Sequence, residues 1–136
     1  MTELSRSSVS LRFFGEALDP DVLTRSLGRE PTVGAKTGQP WTTSRGAVKI
    51  ARRGTWRLHT SECAPADLDG QIMKLLSELT ADLEVWRDLT AKYQADLFCG
   101  LFLAEQNEGI SLAPKTLQEV AIRNLKIDFD IYYEPE

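Results

Sequence analysis

The chain has 136 residues, 42% hydrophobic and 26% charged, with a formal net charge of −4. These values suit one globular α+β domain with a real core. They exclude a transmembrane helix, because no long apolar run occurs, and the negative balance argues against general nucleic-acid binding.

The first residues lack the charged-then-apolar layout of a signal peptide. Residues 1–7 are expected to be disordered. Val9, Leu11 and Phe13 then alternate with Ser10, Arg12 and Phe14, which predicts a strand with one buried face. Asp19 is a helix N-cap, Pro20 takes the first helical position, and Gly28 is a left-handed stop. Leu18 and Leu23 stand where a hydrophobic staple would join, and Val22, Leu23, Ser26 and Leu27 form the predicted inward face. Residues 31–34 are a short strand candidate. Residues 35–53 read as a long basic loop, with a small hairpin near Val48; a loop this long is usually functional or mobile.

Residues 55–61 predict a strand with Trp56, Leu58 and Thr60 on one face and Thr55, Arg57 and His59 on the other. Apolar residues from Leu68 to Tyr93 fall in a helical stripe. Thr80-Ala81-Asp82 leaves open whether this is one helix or two. Residues 95–103 are apolar on both faces and read as a central strand. A second helix start follows Pro114, burying Leu117, Val120, Ala121 and Leu125, with Asn124 as its terminator. Last, Ile127, Phe129, Ile131 and Tyr133 alternate with polar residues or Tyr132, predicting one buried and one wet face. The motif L-x-P-x-x-L, at Leu18–Leu23 and again at Leu112–Leu117, marks a strand–helix–strand unit occurring twice. The expected architecture is a two-layer sandwich: a mixed sheet of about five strands with helices chiefly on one face, close to a ferredoxin-like arrangement.

An ordered set of residues carries a family resemblance. It comprises Phe13 to Gly15 with Leu18-Asp19-Pro20, Leu27-Gly28 with Pro31-Thr32, Gly38, then Gly54, Trp56 and Leu58. It closes with Gly109-Ile110-Ser111-Leu112 and Pro114, then Ile127 and Phe129 to Tyr132. Together these resemble the domain-of-unknown-function family DUF4279 over nearly the whole chain. The resemblance implies a small bacterial single-domain protein without an established activity, and it supplies no catalytic residues. Ala113 departs from the pattern, standing where a capping Ser or Asp is expected before Pro114.

Charge is unevenly spread: residues 23–57 carry +7 and the remainder −11. Such asymmetry marks either a partner surface or two halves of a fold that neutralise each other. The common nucleotide, zinc and hydrolase motifs are absent from the sequence. His59 and Cys63 are too few to argue a nucleophile pair without an orienting third group. Asp128 and Asp130 share a strand face but lack a further ligand set, and pairing with Arg12 or Arg57 is the plainer reading. No metal or cofactor is implied. The candidate site is the basic loop: Trp41, Arg45, Lys49, Arg52, Arg53 and Arg57, where guanidinium forks suit carboxylate or phosphate. The competing reading neutralises those charges against the acidic helix. The expected function is a non-enzymatic binding domain for a protein partner, for example an immunity-type inhibitor. The alternative is an anionic small ligand or nucleic acid bound through residues 36–57. With the two cysteines in unlike segments and no disulfide framework, a reducing cytoplasm is the default location. Monomer and homodimer both remain open.

Overall fold

The computed structural model describes residues 2–43 and 45–135; Met1, within the segment expected to be disordered, lies outside them. The chain runs β1 (Thr2–Glu3), β2 (Arg6–Gly15), α1 (Pro20–Leu27), β3 (Val33–Ala35), β4 (Pro40–Thr42), β5 (Val48–Ile50) and β6 (Gly54–His59). It continues with α2 (Leu68–Ser77), α3 (Leu83–Lys92), β7 (Gln94–Leu103), β8 (Glu108–Gly109), α4 (Pro114–Ala121) and β9 (Lys126–Tyr133). The main sheet has five strands in the order β3-β6-β2-β7-β9. All neighbours are antiparallel except β7 and β9, which are parallel. Fold class is therefore α+β, a mixed sheet layered against helices.

Both L-x-P-x-x-L units act as crossovers, in different ways. α4 links β7 to its direct parallel neighbour β9. α1 links β2 to β3, with β6 inserted between them and antiparallel to both. The first helix starts as its sequence dictates: the Asp19 carboxylate accepts from the Asp21 N–H, Pro20 follows, and Gly28 closes the helix at φ 82°. Gly54 meets a different demand. A Cβ there would lie 2.6 Å from the Leu18 carbonyl oxygen, so only glycine lets β6 pass the end of β2.

One face of the sheet carries the core. Val9, Leu11 and Phe13 of β2, Trp56 and Leu58 of β6, and Leu97 and Cys99 of β7 join Leu23, Ile72, Leu75 and Trp86 from the helices. Trp86 of α3 stacks on Phe13, and the Trp56 indole N–H donates to Thr24 of α1. The helical stripe of residues 68–93 resolves into two helices, because the Asp82 carboxylate caps α3 by accepting from the Glu84 N–H.

Three expectations need correction. Residues 2–7 are not disordered: β1 pairs with β8, Leu4 is 3% exposed, and the buried Ser7 hydroxyl donates to Gln71 Oε1 at 2.5 Å. Two buried anchors, Leu4 and Ser7, outweigh the weak periodicity. Within residues 35–53 the small hairpin expected near Val48 is an antiparallel ribbon of β4 and β5. Val22 of α1 is exposed, leaving Leu23 and Leu27 to face inward. Finally, α4 buries Thr116 and Val120 rather than Leu117 and Ala121, and most of β9's apolar side is exposed. No described helix is long and apolar enough to cross a membrane.

Candidate functional site

Period-two alternation sends every second residue of the sheet away from the helices. On this open face β2 contributes Ser10, Arg12 and Phe14. Register sets Phe14 opposite Thr55, Arg12 opposite both Arg57 and Asp96, and Ser10 opposite His59 and Phe98. The result is a lattice of guanidinium groups on aromatic rings. Phe14 has three guanidinium carbons around it: Arg12 and Arg57 at 5.1 Å and Arg53 at 5.2 Å. Arg12 also lies 4.0 Å from the Phe98 ring centre, and Arg6 4.5 Å from that of Phe102. Cations at such distances are held by the ring quadrupole.

The β4–β5 ribbon lies over the β6 end of this face. Register pairs Trp41 with Lys49, so both project from the same side of the ribbon. Trp41 sits over Arg57 at 4.9 Å, placing that guanidinium against two rings, Trp41 and Phe14. Between ribbon and sheet is an open cleft of about 350 Å³. Its wall includes Lys49, Arg52, Arg53 and Arg57 and no carboxylate. Among the described residues none of these four has an acidic side chain within ion-pair distance. Arg53 donates to Gln94, and Arg57 Nε donates to Thr55. Burial lowers the Arg57 pKa and the Arg12 charge lowers it further, only partly offset by Asp96. The cleft is thus an uncompensated cationic site in partly desolvated surroundings, where a carboxylate or phosphate would find several donors at once.

A family model described as a domain of unknown function, DUF4279, matches residues 3–134. The chain belongs to that family. No curated protein and no solved structure matches it.

Five of the six sequence candidates of this DUF4279 domain, Trp41, Lys49, Arg52, Arg53 and Arg57, meet around the cleft. Arg45 does not. It sits at the ribbon turn, exposed, on the side from which its charge reaches the Tyr132 hydroxyl of β9. The reading in which these charges are neutralised by the acidic helices fails for the cleft, because ribbon and helices lie on opposite faces of the sheet. Arg29, outside the cleft, reaches the end of α2, at 2.8 Å from its C-cap Glu78.

Sequence reasoning missed Phe14, Arg12 and Asp96. Each was legible as an outward strand position, but their convergence depends on register. Arg12 makes a bidentate contact with Asp96, at 2.8 and 2.7 Å. Burial pushes the Asp96 carboxyl up, but the Arg12 fork and a hydrogen bond from Asp128 outweigh it and hold the group below its ordinary value. Asp128 moves the opposite way, raised by that same hydrogen bond and then by burial. The two carboxyls are therefore coupled across β7 and β9, one held down and the other pushed up. Asp128 and Asp130 accordingly do not pair with Arg12 or Arg57: Asp128 meets Asp96 and Lys126, and Asp130 accepts from Tyr132.

His59 Nδ1 and the Ser10 hydroxyl lie 2.6 Å apart, while the Cys63 thiol donates to the Pro65 carbonyl. Burial lowers the His59 pKa, and the Arg57 charge adds to the shift. No group of three or more metal-ligating side chains occurs among the described residues.

Proposed function

We propose that this DUF4279 domain is a binding module that takes an acidic segment of a protein partner into the ribbon cleft and across the adjoining open face. The observation that carries the reading is the cleft wall: four cationic side chains, no carboxylate, and two aromatic rings. Ile50, in the cleft wall, and Val48 beside it are 62% and 69% exposed. Apolar anchors next to unpaired arginines fit a polypeptide, which supplies both carboxylates and hydrophobic side chains. An immunity-type inhibitor that masks a toxin is one form such a module takes, by analogy of size and architecture alone.

A second reading, a small anionic ligand or nucleic acid held through residues 36–57, is favoured by one feature. Arg57 is half-buried against Trp41 and Phe14 and pre-shaped for a single anion.

Native mass spectrometry of the tagged protein, drawn gently from its own host's lysate, separates the readings when run beside the Arg52→Glu/Arg53→Glu variant. Both arginines are exposed, so thermal unfolding should not change. A polypeptide retained by the wild type and lost from the variant supports the protein-partner reading. Equal retention by both removes the cleft from the argument. A retained small mass that the variant loses moves the second reading to first place, and its affinity should then fall steeply with salt.

A further inference from the structure

The sheet has two edges, treated differently. β3 is three residues long, follows Pro31 by two positions and adjoins the ribbon. β9 is eight residues long and pairs through β7 alone among the described residues, from Asp96↔Lys126 to Leu103↔Tyr133. The Glu134 N–H donates to the Leu103 carbonyl, so even-numbered backbone groups of β9 turn toward β7. By alternation, Ile127, Phe129, Ile131 and Tyr133 turn their N–H and C=O groups outward. Their side chains share the helix-side face, and Phe129, Ile131 and Tyr133 are 47%, 64% and 52% exposed. β9 contains no proline, and its one lysine is at the first position. Its centre carries two charged side chains, Asp128 and Asp130, both on the open face, and no proline or lysine.

The charges on β9 select a partner and a register. A two-fold antiparallel pairing of outward groups centres either on an outward residue, as a hydrogen-bonded pair, or on an inward one, as a non-hydrogen-bonded pair. Centring on Phe129 would set each Asp128 against the Asp130 of the second copy, two repulsive pairs. Centring on Asp130 would oppose that residue to itself. Centring on Ile131 instead sets Phe129 beside Tyr133 of the second copy. It also sets Asp130 beside Tyr132, a phenol that already donates to an Asp130 carboxylate within one chain. The remaining pair, Asp128 with Glu134, falls at the strand ends. There Glu134 is held by Arg6 at 2.5 Å, and Asp128 by Lys126 at 3.6 Å.

We propose that β9 is a homodimer interface, with two copies joined antiparallel about a two-fold axis at Ile131 into one ten-stranded sheet. The axis stands perpendicular to the sheet, so both open faces, and both ribbon clefts, look the same way. The assembly does not depend on what the clefts bind.

Sedimentation velocity on the full chain across a concentration series tests this, with Ile131→Lys as the disrupting variant. Wild type should sediment at twice the chain mass, and Ile131→Lys at once. A wild type that stays monomeric at every concentration overturns the proposal, as does a variant that stays dimeric. Ile131→Cys in a Cys63→Ser background keeps the test open should the lysine variant misfold. Cα atoms of a hydrogen-bonded antiparallel pair lie about 5.5 Å apart, within disulfide range. Mild oxidation should give a reducible covalent dimer from Ile131→Cys and none from Ile127→Cys. Equal yields from both would place the interface elsewhere.

Discussion

On the helix-covered face of the sheet Leu11, Phe13 and Trp56 are shut off from water in one apolar cluster; one position along, on the opposite face, Arg12, Phe14 and Arg57 interleave charge with aromatic rings. The backbone is the same and the strands are the same. What differs is the work each layer does. The covered layer contributes burial, at roughly 25 cal/mol per Å² of apolar surface. The open layer stabilises through contacts that also leave cations facing solvent. A single strand can therefore hold the fold with its odd-numbered residues and present a binding surface with its even-numbered ones.

The largest test of that division is Trp56→Ala. It removes a fully buried ring that touches Phe13 edge-on and should cost about 3–5 kcal/mol in urea unfolding. A loss under about 1 kcal/mol would mean that the covered layer is not the main source of stability. Asp96→Ala sharpens the comparison from the other side. It strands Arg12, whose side chain is mostly buried, without its bidentate partner. The expected loss is about 3 kcal/mol, because a partly buried guanidinium would be left uncompensated. A near-neutral result would reduce the open layer to solvated decoration.

The smallest effect concerns protons. Asp128 has a raised pKa when folded, so its contribution is complete below its unfolded value, about 3.9, and is lost as pH rises through the folded one. Asp96 has a lowered pKa, so its contribution is present above the unfolded value and lost as pH falls through the folded one. Asp128→Asn keeps a donor toward Asp96 at every pH and removes only the first loss. Thermal midpoints should therefore decline less for the variant than for wild type as pH rises above about 4, with both declining in stronger acid. Superimposable profiles would show that the two carboxyls are not coupled.

Local signals in the sequence were sufficient wherever one residue decides one event. Asp19, Pro20 and Gly28 bound α1, Asp82 divides the long helical stripe, and Asn124 takes a positive φ after α4. Signals that depend on neighbours were not sufficient. α4 is two turns long, too short for its apolar stripe to set its rotation, and it turns Thr116 and Val120 inward while Leu117 stays out. The ribbon strands have three residues each, too few to show a period of two. For the site, residue type alone pointed to the basic stretch. Arg12, Phe14 and Asp96 entered only with register, because nothing in their own segments says which strand lies beside them.

Ala113 offers α4 no capping side chain, and its N–H is met instead by the Asp69 carboxylate of α2, at 3.0 and 3.3 Å. A helix that begins on a borrowed acceptor cannot fray on its own terms. Its first turn opens when α2 shifts, and α2 loses a partner when α4 opens. In hydrogen exchange the amides at the start of α4 should therefore follow those of α2 as one cooperative unit.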